Sequence, residues 1–212
     1  MVDQRVSADG GPTEILVTPT GIEAVVVIEP QVFRDHRGFF YESYSKRRFA
    51  RHGIELDFVQ DNHSRSRRGV VRGLHYQGPA GAQWRLVRCT LGEIFDVVVD
   101  LRVGSPTLGG WMGVRLSAQN GKQLLIPPPF AHGFVCVSEH AEVQYKCSGY
   151  HEPAAERSLA WNDHDLAIDW PLDGDPILSA KDAEAPSFGA YLDAPDFPPG
   201  WDARPSTERS MR

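Results

Sequence analysis

Cysteine is scarce. The three present, Cys89, Cys136 and Cys147, are too few for a disulfide scaffold, and their odd number argues against a fully paired secreted framework. Long apolar runs are missing, since nothing approaches the ~20 residues that a membrane-spanning helix requires. The opening Met1-Val2-Asp3-Gln4-Arg5 lacks the apolar centre of a secretion signal. An excess of positive charge is missing too: the formal net charge is −6, unlike that of proteins that coat nucleic acid. Common cofactor and nucleophile signatures do not occur, with no G-x-G-x-x-G, Walker sequence, C-x-x-C or G-x-S-x-G. Neither H-x-H nor H-E-x-x-H appears, so histidine spacing writes no metal site. These absences predict a cytoplasmic protein that engages neither nucleic acid nor membrane.

What is present is an ordinary globular balance. The chain has 212 residues, 41% hydrophobic and 24% charged, enough for one domain with a real core. Polar ends containing Gly10-Gly11-Pro12 and Pro198-Pro199-Gly200 suggest tails at 1–12 and 196–212 around a domain at 13–195, with Trp201 able to dock the second tail. Glycine and proline divide the middle into short apolar stretches. Ala24–Ile28, Glu93–Asp100 and Gln123–Ile126 are short and rich in β-branched or apolar side chains, which favours strands. Asn120-Gly121, between Val114–Leu116 and Gln123–Ile126, predicts a hairpin of adjacent antiparallel strands. Short helices are expected at Ser45–His52, with Lys46, Arg47, Arg48 and Arg51 decorating an exposed face, and from Leu178 to Ala183. The pattern is mainly β, a jelly roll.

Candidate chemistry gathers in the histidines, arginines and one tyrosine. Of eight histidines, His75 lies in Arg72-Gly73-Leu74-His75-Tyr76-Gln77. On a regular strand Gly73, His75 and Gln77 share a face, and Arg72 does not. His132 follows Pro127-Pro128-Pro129, a rigid approach to a presented imidazole. Both residues are also compatible with plain structural roles. Arg37, Arg65, Arg67, Arg68, Arg72, Arg85 and Arg88 are dense for an acidic chain. With Phe39, Phe40, Tyr41 and Tyr76 nearby they suit a nucleotide diphosphate with a stacked base; a solvated charged face fits Arg65, Arg67 and Arg68 better than Arg72 or Arg85. Tyr145 could donate a proton if its phenol points into a site.

Taken together, the motifs resemble a known family. Phe33–Glu42, Phe58–Ser64, Gly69–Gln77, Asp96–Arg102, Ser105–Thr107, Ile126–Phe134, Tyr145–Cys147, Trp161–Asp163 and Leu178–Asp182 are similar, in order, to motifs of the dTDP-4-dehydrorhamnose 3,5-epimerases. The resemblance covers about residues 21–188. It implies a cupin-type jelly roll, a homodimer, and catalysis without metal or other cofactor. The implied reaction inverts carbons 3 and 5 of dTDP-4-keto-6-deoxyglucose beside the ketone, giving the ketosugar that a reductase converts to dTDP-L-rhamnose. By the same resemblance His75 is the general base, Asp182 the carboxylate that orients it, and Tyr145 the acid on the opposite face. Arg37 and Arg72 match phosphate or nucleotide positions. Glu42, Gln60, Asn62, His132, Glu156 and Lys181 match other ligand-binding positions.

Two departures stand out. The family usually carries lysine, near the keto oxygen, where Arg85 stands in Gln83-Trp84-Arg85-Leu86-Val87-Arg88. Arginine keeps the charge but changes the shape. The family commonly has a Tyr-Tyr pair where this chain has Tyr150-His151. These motivate an alternative, epimerisation at one carbon only. A non-catalytic nucleotide-sugar-binding cupin and a metal-dependent cupin enzyme are the readings from other classes; a binding module has no need of His75, Asp182 and Tyr145 together.

Overall fold

The computed structural model describes residues 14–201. In chain order the strands begin with β1 (Ile15–Pro19), β2 (Val26–Pro30), β3 (Phe33–Asp35) and β4 (Gly38–Phe40). After helix α1 (Lys46–Ala50) come β5 (Gln60–Arg67), β6 (Val71–Gln77), β7 (Arg85–Leu91), β8 (Glu93–Asp100) and β9 (Trp111–Ser117). The series ends with β10 (Gln123–Ile126), β11 (Phe130–Cys136), β12 (His140–Cys147), β13 (Glu156–Ser158) and the short helices α2 (Ala180–Ala183) and α3 (Phe188–Asp193).

Two sheets face each other, with strand orders β1-β2-β10-β7-β12-β5 and β13-β6-β11-β8-β9; β3 and β4 pair only with each other. This is the cupin-type jelly roll. Alternation along the strands explains three apolar layers. Ile94 and Val98 of β8 pack between the sheets with Val87, Leu124, Leu116 and Val143. Val97 and Val99 point the other way, into a layer closed by Leu159, Trp170, Phe188, Tyr191 and Phe197. Phe49 and Leu56 cover the outer side of the six-stranded sheet at Ile28, Leu86 and Leu125.

Four expectations change. Asn120-Gly121 does not close a hairpin, because β9 pairs with β8 while β10 pairs with β2 and β7. The turn carries the chain from one sheet to the other. The Asn120 side chain accepts from the Ser117 and Lys122 amides and donates to the Arg115 carbonyl, and Gly121 sits at φ +64. The turn chemistry is therefore present without the pairing, since the two sheets bury the flanking strands separately. Arg48 is buried rather than decorating an exposed helix, and its guanidinium meets Glu42 at 2.6 Å. The start of the expected C-terminal tail is packed: Phe197 is fully buried, and Asp196 accepts a hydrogen bond from the Tyr76 hydroxyl at 2.8 Å. Residues 1–13 and 202–212 lie outside the described residues.

The fourth change positions the site. β6 pairs with β11 as His75↔His132 and Arg72↔Phe134, so two residues of β6, Gly73 and Leu74, oppose the single Gly133 of β11. That β-bulge reverses the alternation and turns Arg72 to the same cavity as His75. Glycine makes the bulge possible. Gly73 has φ +123, and a Cβ on Gly133 would lie 2.8 Å from the Arg72 carbonyl oxygen and 3.2 Å from the Gly73 Cα. Gly133→Ala is therefore expected to cost about 2–4 kcal/mol, read as a lowered chemical-denaturation midpoint. Gly21→Ala, where an added Cβ meets nothing within 4 Å, should change stability little. Equal effects in the two variants would mean the close approach is not under constraint.

Candidate active site

A cavity of about 590 Å³ opens between the two sheets. The five-stranded sheet contributes Arg72 and His75 from β6, His132 from β11 and Glu156 from β13. The facing sheet contributes Gln60 and Asn62 from β5, Arg85 from β7 and Tyr145 from β12. Lys181 and Asp182 enter from α2. Ten of the twelve residues singled out in the sequence thus meet in one place. Arg37 and Glu42 do not. Arg37 is exposed on the β3–β4 hairpin and pairs with Asp35 at 2.5 Å, while Glu42 holds Arg48. A larger cavity of about 660 Å³ beside Trp170 has no histidine or tyrosine in its lining.

His75 Nε2 lies 2.5 Å from Asp182 Oδ1, across 107 positions of sequence. Ser179 caps α2 by accepting from the Asp182 amide, and its hydroxyl donates to Asp182 Oδ2 at 2.8 Å. Burial pushes the Asp182 carboxyl up, but the hydrogen bonds from His75 and Ser179 and the charges of His75 and Lys181 outweigh it. The carboxyl is held below its ordinary value. A carboxylate so placed fixes the imidazole's orientation and favours its charged form.

His132 stands beside His75 on the neighbouring strand, and its Nε2 lies 2.9 and 3.0 Å from the two carboxyl oxygens of Asp96. Its hydrogen bond goes to Oδ2, and Oδ1 has no hydrogen-bond partner among the described residues. Asp96 is completely buried, and burial raises its carboxyl against the opposing pull of His132 and Arg85. Asp96 has no assigned role among the motif residues. Its signal was an acidic residue in the middle of the strand, flanked by apolar residues, at a position that shares its face with Ile94 and Val98.

Tyr145 is half-buried, and burial raises its phenol although the Arg85 charge pulls the other way. The phenol therefore keeps its proton near neutrality and can give it up only to a strong base such as a carbanion. Arg85 reaches across the sandwich to the His75 carbonyl at 3.3 Å. Arg72 donates to the Ser66 hydroxyl and the Arg65 carbonyl.

Gln60 bridges Asn62 and the backbone N–H of His151, both at 3.1 Å. Lys181 meets Glu156 at 2.8 Å. The cavity also takes in His151, Gln83, Ser64 and Ser179, which the motif match left without a role. Gln83 Oε1 and Ser64 Oγ are buried without a hydrogen-bond partner among the described residues. Among the described residues, no group of three or more His, Cys, Asp or Glu side chains is arranged to hold a metal ion.

A jelly roll with an imidazole–carboxylate pair on one wall and a protonated phenol on the other defines a cupin-type proton-transfer enzyme. The comparisons make the class specific. The family model described as dTDP-4-dehydrorhamnose 3,5-epimerase matches residues 19–190. The dTDP-4-dehydrorhamnose 3,5-epimerase of Pseudomonas aeruginosa is 56% identical, over 85% of this chain and 98% of its own. The dTDP-6-deoxy-D-glucose-3,5-epimerase of Legionella pneumophila, solved in complex with dTDP-4-keto-L-rhamnose, is 47% identical with a TM-score of 0.83, over 88% of this chain and 98% of that one. A dTDP-4-dehydrorhamnose 3-epimerase of Streptomyces niveus is 43% identical, over 83% of this chain and 85% of its own. The chain belongs to the dTDP-4-dehydrorhamnose 3,5-epimerase family.

The depressed Asp182 carboxyl has a consequence for stability. A carboxyl lowered by folding stabilises above its unfolded value, about 3.9. That contribution is lost as pH falls through the lower folded value. Between about pH 5 and pH 3, urea unfolding is expected to show wild type losing more stability than Asp182→Asn. Equal losses would show that the carboxylate has no net favourable interaction.

Proposed function

We propose that this chain converts dTDP-4-dehydro-6-deoxy-D-glucose to dTDP-4-dehydro-L-rhamnose by inverting carbons 3 and 5. One observation carries the reading: His75 and Tyr145 enter a single cavity from opposite sheets, so a sugar ring between them meets a base on one face and an acid on the other. Inversion beside a ketone needs that arrangement. His75, oriented through Nε2 by Asp182, takes the proton alpha to the ketone on its other nitrogen. The electron pair moves into an enolate, whose oxygen faces the Arg85 guanidinium. Tyr145 returns a proton to the same carbon from the opposite face, and the resulting phenolate is stabilised by the same Arg85 charge until it is reprotonated. Once His75 has released its proton to solvent and Tyr145 has regained one, repeating the cycle at the second carbon completes the reaction. Arg72, Gln60, Asn62, His132, Glu156 and Lys181 bind the rest of the nucleotide sugar.

A second reading, inversion at one carbon, is favoured by Arg85 and His151 and by the similarity to a 3-epimerase. Proton NMR of the preformed ketosugar in deuterium oxide separates the two. Signals at carbons 3 and 5 are both expected to wash out. Loss at one carbon alone would select the second reading, and loss at neither would overturn both. His75→Asn should slow the exchange at least about 100-fold, and Tyr145→Phe should preserve exchange while reducing inverted product about as much. A Tyr145→Phe enzyme with normal product yield would remove Tyr145 as the acid.

The working form is proposed to be a homodimer. The β3–β4 hairpin joins neither large sheet, and its Phe39 and Phe40 are 54% and 64% exposed. It also carries Arg37, a predicted ligand residue lying outside this chain's own cavity. Sedimentation of the whole chain is expected to give about twice its 23.6 kDa mass; a monomer that turns over substrate would overturn the assignment.

A further inference from the structure

A second cavity adjoins the catalytic one. It measures about 570 Å³ and is bounded by β13, α2, α3 and the segment reaching Asp196. Glu156 and Lys181 line both cavities, so this pair forms the wall between them. β13 is the edge strand of its sheet and pairs with β6 as Ser158↔His75 and Glu156↔Gln77. Glu156 thus shares a face with His75, two residues along from the position opposite it. Its side chain is 37% exposed, so water reaches it. Lys181 Nζ holds Glu156 Oε1 at 2.8 Å, and His151 Nε2 lies 3.7 Å from the same oxygen. The carboxyl is held below its ordinary value, first by the Lys181 hydrogen bond and then, against burial, by the charges of Lys181, His151 and His75. It therefore stays ionised, within electrostatic reach of the base.

Each inversion leaves a proton on His75 and a negative charge on Tyr145. The two stand on opposite faces of the sugar ring, so the ring blocks direct transfer between them. We propose that Glu156 is the proton exit of the site, taking the proton that His75 removed and passing it to water in the outer cavity while the sugar stays bound. This rests on the nucleotide-sugar reading above. The step balances. An imidazolium N–H bond breaks as an O–H bond forms on Glu156, directly or through a bridging water, and His75 becomes neutral. The O–H bond then breaks toward water in the outer cavity, and the ion pair with Lys181 re-forms. Lys181 favours the ionised carboxylate, so the proton is held only in passing.

Proton NMR of the ketosugar in deuterium oxide at early conversion tests this, reading deuterium at the carbons beside the ketone in recovered substrate and in inverted product. Deuterium enters the product from Tyr145. It enters recovered substrate only after His75 has exchanged its proton with solvent. Wild type is expected to label both. In Glu156→Gln the ratio of substrate label to product label should fall at least about tenfold, because His75 returns the proton it took. Weaker substrate binding alone would slow both and leave the ratio unchanged. Ala190→Trp should lower the ratio too, since Ala190 lines the outer cavity and not the catalytic one. A wild-type ratio in either variant, or unlabelled recovered substrate from wild type, would overturn the exit. A wild type that neither exchanges nor inverts would instead overturn the nucleotide-sugar reading.

Discussion

The site depends on one close backbone approach. Where β6 passes β11, Gly73 and Gly133 come together with no room for a side chain between them. That contact admits the extra residue of the bulge. Without the bulge, strict alternation would send Arg72 out of the sandwich when His75 points in. With it, a fixed cation and a titratable base share one wall three residues apart. The cost is local: a strand with reversed alternation and two positions that tolerate no Cβ. The neighbouring pairings are regular enough to carry it, because β11 keeps a continuous ladder with β8, and β12 with β5.

Electrostatics then divides the cavity into roles. Two carboxylates face two histidines, but their environments push them apart. Asp182 is held in its charged form by the several donors around it, whereas Asp96 is fully buried and raised by that burial. Asp182 is thus suited to support an imidazolium, whereas Asp96, raised by burial, holds His132 in place. Arg85 ties the walls together. It spans from β7 to the His75 carbonyl, and its charge opposes the upward push of burial on Tyr145. One guanidinium therefore neighbours both the Tyr145 phenol and the backbone of His75. A lysine ammonium, as a point charge on a flexible stem, could not hold the His75 carbonyl and still present a planar fork to an oxygen.

The fold class, the strands at Glu93–Asp100 and Gln123–Ile126 and the short helices were legible because each is a local pattern of period, β-branching or capping. The strand pairing at Asn120-Gly121 was not. A turn motif specifies how the chain reverses, but which sheet receives the next strand depends on burial on both faces. Arg72 was misassigned to the far face because a bulge leaves no mark on periodicity beyond a glycine. Arg48 read as surface because its partner, Glu42, lies outside the helix. His75, Asp182 and Tyr145 were legible as a set only through ordered motifs. Asp182 stands 107 positions from His75, and no spacing rule joins them. His151 was visible only as a departure, and the structure supplied its neighbours Glu156 and Gln60.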